Sequence, residues 1–181
     1  RLDTLARDAM GDTPINLASP DDRSMLLYSR KVADKTLWSQ VFNLGHEVRG
    51  STRKPKMRTR MRAKEFKENV RGLTRVVFKT EGQRCSDCNG EGRFHPLRKD
   101  GRLSKAVRVC RTCKGAGVLY RSTGEVAGFK LVPRNPMDVA SAGFKTDKVT
   151  LEERAPELIG AARDFAESYV RYNALRTYLS T

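Results

Sequence analysis

The sequence predicts an α+β protein, a helical frame interrupted by a small β-rich insertion. Three observations carry that prediction. Apolar residues recur at helical spacing near both ends: Leu2, Leu5, Ala6, Ala9 and Met10, then Leu158, Ile159, Ala162, Phe165, Ala166, Tyr169 and Val170. All four cysteines lie in the middle, in two copies of one pattern, C-x-x-C-x-G-x-G, at Cys85–Gly92 and Cys110–Gly117. The formal net charge of +15 also belongs to the middle. Residues 1–48 and 135–181 each hold six basic and seven acidic groups, whereas residues 49–134 hold 24 basic and seven acidic ones. The chain therefore divides into a first arm (1–48), a basic cysteine-bearing insertion (49–134) and a second arm (135–181).

In chain order, the first apolar stripe predicts a helix that Gly11 stops. Ser19 is a suitable N-cap, Pro20 suits the first turn, and Asp21 and Asp22 complement the helix dipole there. That helix is expected to run from about Pro20 to Val32. Trp38, Val41, Phe42 and Leu44 form a short apolar patch before Gly45. From Arg49 to Arg71 the chain carries ten basic residues and two acidic ones, with weak apolar periodicity. Val76–Phe78, Val107 with Val109, Val118–Tyr120 and Val126–Val132 read as short strands. A short helix is expected near Val149–Arg154, and Pro156 is expected to open the long last helix.

The cysteine pairs, separated by 21 residues, have the spacing of a four-thiolate zinc site with Cys85, Cys88, Cys110 and Cys113 as ligands. Two thiolates three residues apart reach one ion only if the backbone between them turns tightly. The glycines after each pair permit the left-handed conformations such turns need. Four thiolates close the coordination sphere, so the zinc is structural and leaves no position for a catalytic water. The module is expected to be a zinc-ribbon-like set of hairpins, too small to fold without its metal.

No apolar run reaches membrane-spanning length and no signal peptide opens the chain. Paired thiols without a secretion signal fit a reducing compartment, the cytoplasm. Nor is a catalytic set evident. Metal-dependent nucleotidyl transfer needs clustered carboxylates, and Asp21 and Asp22 are better placed as helix-start residues. His46 and His95 read as surface or loop residues. The chain begins at Arg1 and ends at Thr181 inside a helical pattern, as expected of a segment of a longer protein.

Three stretches, in order, resemble the thumb of family A (Pol I-like) DNA polymerases: Leu2–Pro20 with Asn16-Leu-Ala-Ser19-Pro20; Gly143-Phe-Lys-Thr146-Asp147 with Leu151-Glu152; and Tyr172–Thr181. The resemblance covers about half the chain, near residues 1–35 and 140–181. It implies an antiparallel helical thumb frame whose two arms bracket a tip, with Lys145 and Thr146 there as candidate surface contacts to DNA. It also implies a non-catalytic grip on primer–template duplex, with the remainder of the polymerase chain as a partner and a phage or other viral source, hence host cytoplasm. Where the family has Lys-Gln-Leu after Ser-Pro, this chain has Asp21-Asp22-Arg23. The cysteine motifs resemble the repeats of the DnaJ cysteine-rich domain, which has four copies where this chain has two.

Concentrated Lys and Arg attract polyanions and release counterions on contact. Candidate phosphate contacts are Arg53, Lys54, Lys56, Arg58, Arg60, Arg62 and Lys64, with Arg98, Lys99 and Arg102 between the cysteine pairs. With the resemblance, they point to DNA binding that aids processivity. An alternative is that the insertion docks a processivity or replisome protein through Trp38, Phe42, Phe78 or Phe94, although these aromatics more simply form a core. A further alternative is a stand-alone zinc-ribbon nucleic-acid-binding domain.

Overall fold

The computed structural model describes residues 1–44 and 61–179, and it is a mixture of helices and small antiparallel sheets. The helices are α1 (Leu2–Met10), α2 (Pro20–Tyr28), α3 (Lys35–Val41), α4 (Ala63–Leu73), α5 (Lys148–Arg154) and α6 (Ala161–Leu179). The strands pair as β1 (Arg30–Val32) with β2 (Thr74–Val76), β3 (Phe78–Arg84) with β6 (Val118–Val126), β4 (Arg93–Phe94) with β5 (Arg108–Val109), and β7 (Val139–Ala140) with β8 (Gly143–Phe144). Among the described residues, no helix is long and apolar enough to cross a membrane.

The helix signals at α1 and α2 act as expected. The Ser19 side chain accepts from the Asp22 N–H. Asp22 also turns back to accept from the Asn16 N–H at 2.9 Å, and Lys35 pairs with Asp21. Ser19→Ala should cost ~1 kcal/mol, read as a lowered melting temperature. The end of α2 departs from expectation. Ser29 is left-handed (φ 57°), so the helix stops at Tyr28 and Arg30–Val32 becomes a strand. Its partner lies some forty residues onward, and that non-local pairing overrides the local pattern.

A single core joins both arms to part of the middle. Trp38, Leu26 and Phe165 are fully buried, and Phe42, Phe66 and Phe144 are nearly so. Trp38 packs edge-on against Phe42 and Phe144, with ring centroids 4.6 and 5.4 Å away, and its Nε1 donates to the Ala140 carbonyl at 2.8 Å. Trp38 and Phe42 are thus core residues, not exposed anchors. Helix α1 packs on α6, and Arg1 pairs with Asp164.

The boundary of the insertion is redrawn by this packing. Helix α4 contributes Phe66 and Val70 to the main core, and the exit segment contributes Ala127 and Leu131. Val126–Val132 was expected as a strand, but beyond Val126 it instead crosses the ends of α1 and α2. The N–H groups of Gly128, Phe129 and Leu131 donate to the carbonyls of Ala9, Leu26 and Leu27 at 2.8 Å each. A helix end leaves such carbonyls without intrahelical partners, so this segment satisfies them. What leaves the core is therefore the β3–β6 hairpin, roughly residues 78–126, rather than all of 49–134.

The last helix also starts later than expected. Pro156 lies in a 3₁₀ turn (Ala155–Glu157), and α6 begins at Ala161, after Gly160 takes φ +55°. Beside that turn Arg154 is almost fully buried. Its guanidinium donates to Asp138 Oδ2 at 3.0 Å, Glu157 Oε2 at 2.9 Å and the Val132 carbonyl at 2.6 Å.

Candidate metal centre

The β3–β6 hairpin is tied to α1 at its base. Asp12 Oδ2 accepts from the Gly82 N–H at 2.9 Å, and the Asp12 N–H donates to the Thr80 carbonyl at 2.8 Å. The Gly82 N–H and the Arg7 guanidinium hold the Asp12 carboxyl below the usual carboxylate range. Gly11 has φ +79°, and a Cβ there would lie 2.2 Å from the Thr80 carbonyl oxygen. Gly11→Ala should therefore destabilise the protein by more than ~1 kcal/mol and loosen the hairpin base, seen as faster amide exchange in β3.

At the far end of the hairpin the four cysteines meet. Cys85, Cys88, Cys110 and Cys113 are buried, unlinked by disulfides, and their sulfurs all lie within 4.8 Å of one another. Two of the separations are 3.9 Å (Cys85–Cys110) and 3.6 Å (Cys88–Cys113). A disulfide requires about 2.0 Å. Four thiolates at ~2.3 Å from one tetrahedral ion would stand about 3.8 Å apart. The cluster thus has the donor set and spacing of a metal site. Among the described residues, no other group of Cys, His, Asp and Glu gathers in this way.

The two motifs build the site reciprocally. Within each, a backbone N–H points at the second sulfur: Gly92 to Cys88 Sγ and Gly117 to Cys113 Sγ, both at 3.2 Å. Between them, the Cys85 N–H donates to the Gly117 carbonyl at 2.9 Å, and the Cys110 N–H to the Gly92 carbonyl at 2.8 Å. The last glycine of each motif lies against the other motif. A Cβ on Gly92 would sit 2.2 Å from the Gly115 oxygen, and one on Gly117 would sit 2.2 Å from the Gly90 oxygen. The glycines thus serve close approach as well as left-handed turns, a role that spacing alone does not reveal. Thr112 Oγ1 donates to Asp87, adding a side-chain link between the motifs.

Burial and backbone donors act unequally on Cys85 and Cys113. Burial pushes the Cys85 thiol up to about 11. At Cys113 burial acts in the same sense, but the N–H groups of Gly117 and Gly115 outweigh it and bring the thiol down to about 7. Among the described residues, the half-buried Leu119 is the one apolar side chain packed on the four cysteines from outside, so the module has little apolar core of its own.

The other candidate residues fall in four groups. Arg98, Lys99 and Arg102 are exposed in the excursion between the motifs. There the Arg98 N–H donates to the Arg102 carbonyl at 2.8 Å and β4 pairs with β5 at the base. Arg62 and Lys64 are exposed at the start of α4. Arg53, Lys54, Lys56, Arg58 and Arg60, like His46, lie outside the described residues. Lys145 and Thr146 do not form an exposed tip. The Lys145 carbonyl accepts from Tyr28 Oη at 3.1 Å, and Thr146 is only 4% exposed, its hydroxyl accepting from Arg23 Nε at 3.2 Å. Thr146 is thereby corrected from a surface contact to an internal partner of Arg23, which also donates to the Leu17 carbonyl and lies over the Tyr169 ring. His95 is exposed, with Nδ1 beside the Ser104 carbonyl at 2.9 Å and not in the cysteine cluster.

Fold and site together define an α+β protein with a buried four-cysteine cluster compatible with metal binding. No protein-family model, no curated protein and no solved structure matches the chain.

Proposed function

We propose that this chain is a non-catalytic, thumb-like segment of a DNA-directed DNA polymerase that holds primer–template duplex without reading its sequence. In this reading a structural zinc ion staples the β3–β6 hairpin and so extends the grip. The observation that carries it is the position of the cysteine cluster at the root of a basic excursion. From residue 78 to 126 the chain has eleven basic residues and five acidic ones. Arg93, Arg98, Lys99, Arg102, Lys105 and Arg108 are all exposed between the motifs. Such groups contact phosphates, which position a protein on duplex without specifying sequence. The polymerase context rests on the three thumb-like stretches, and the zinc assignment on the all-thiolate donor set.

The test is a salt titration of duplex binding by the full chain, read by fluorescence anisotropy. If about six phosphates are neutralised, log affinity should fall with log salt at a slope near −5. Charge reversal at Arg98, Lys99 and Arg102 should weaken binding alike on unrelated sequences and flatten the slope. A slope near zero, or unchanged affinity in the triple variant, refutes the hairpin grip.

A second reading, docking of a processivity protein, is favoured by one observation: Leu97, Leu103, Val107 and Val109 are more than half exposed on the same excursion. Loss of partner binding in Leu97→Ser/Leu103→Ser, with duplex affinity intact, would select it. A stand-alone nucleic-acid-binding role is separated from both by the sequence of the parent open reading frame.

A further inference from the structure

A groove of about 490 Å³ lies on the main body, between α4 and the exit segment Lys130–Pro133. Its volume is in the range of ligand sites. The floor is apolar, formed by Tyr28, Phe66, Val70 and Leu131, and Val76 and Val132 stand beside it, 39% and 70% exposed. Arg30, Lys67, Arg71 and Lys130 line it as well, and among the described residues no carboxylate does. Lys67 and Arg71 are one helical turn apart on α4, while Lys130 belongs to the opposing segment. Arg30 donates to Thr74 Oγ1 at 3.0 Å, and among the described residues none of the four cations forms an ion pair.

We propose that this groove docks an acidic peptide segment of a partner protein, with an apolar side chain on the floor and carboxylates against the four cations. The occupant follows from the combination of surfaces. Phosphate contact alone would need no apolar floor. Base stacking needs an open aromatic face, whereas Phe66 and Tyr28 are 1% and 3% exposed and the open walls are valines. A lipid surface calls for protruding apolar groups rather than a concave site. An acidic segment with a Leu or Phe anchor satisfies both the cations and the floor, and charge complementarity favours its encounter. The site meets the hairpin at Val126, the end of β6 away from the cysteines, and does not depend on the polymerase reading.

The experiment uses the full chain and two short fluorescein-labelled peptides. One has Leu and Phe flanked by Asp and Glu; the other has Ser in place of Leu and Phe at the same charge. The first should bind at least about tenfold tighter than the second. Lys67→Glu/Arg71→Glu should weaken it by about tenfold or more. Val132→Glu, at a position open enough to spare the fold, should weaken it likewise and leave duplex affinity unchanged. Equal binding of the two peptides, or no effect of Val132→Glu, overturns the proposal. So does loss of duplex or anionic-vesicle binding in Val132→Glu, which would give the groove to nucleic acid or lipid.

Discussion

Cys110→Ser is expected to strip the metal from the protein and unfold the hairpin while leaving the main body folded. Among the described residues, Leu119 is the one apolar side chain that packs on the four sulfurs, so little apolar core remains to hold β4 and β5 without an ion. Structural zinc contributes on the order of 10–16 kcal/mol at neutral pH in small thiolate-bearing modules, and there the binding free energy is the folding free energy. The main core contains none of the cysteines and has its own aromatic cluster around Trp38. Metal analysis should fall from one equivalent to none. Protease should then cut within residues 93–109 and, on the proposed duplex-holding role, duplex affinity should drop more than tenfold, while thermal melting of the helices should change little. Chelation of the wild-type protein should reproduce every one of these changes, and acid should act in the same direction because thiolates must hold off protons to keep an ion. A Cys110→Ser protein that keeps both a full equivalent of metal and its protease resistance would refute the site.

Arg154→Ala is expected to be the most damaging substitution in the main body. The Arg154 side chain is 4% exposed and its partner Asp138 15%. Truncation leaves that carboxylate nearly buried with its cation gone, a situation that costs about 3–5 kcal/mol. For a chain of this length the melting temperature should fall by roughly 10 °C. The guanidinium also joins three points of the chain, through Val132, Asp138 and Glu157. Arg154→Met alone should be similarly harmful. Combined with Asp138→Asn it should recover part of the loss, because no lone charge remains. The effect should be confined to stability: at a temperature where both proteins are folded, duplex affinity should be that of the wild type. If Arg154→Ala melts within a degree or two of the wild type, the guanidinium does not hold this corner of the fold together.

The cysteine cluster was legible because its information is local. Four residue types at fixed offsets, with glycines beside them, dictate the turn and supply the donors. The helix start at Pro20 was legible for the same reason, since it follows Ser19, whose side chain caps the next turn. The elements that departed from expectation are set by distant partners. Nothing at Ser29 announces a left-handed residue; the turn exists because Arg30–Val32 pairs with Thr74–Val76. Val126–Val132 is apolar enough to read as a strand, yet three of its N–H groups are spent on the ends of two helices. Composition drew the insertion from 49 to 134 because charge runs through it, but charge does not report that Phe66 and Leu131 share a core with Trp38. Thr146 looked available for the same reason: neither spacing nor charge discloses that Arg23 lies against it.

The paired β4 and β5 at Arg93–Val109 have a consequence for how such a chain can vary. They close the excursion just outside the cysteines, so the sulfurs do not register how long the enclosed loop is. Lengthening, shortening or exchanging residues 95–107 should leave the staple intact. The hairpin is in that sense a socket: its two half-motifs must change together, while whatever is plugged in between them is free to diverge.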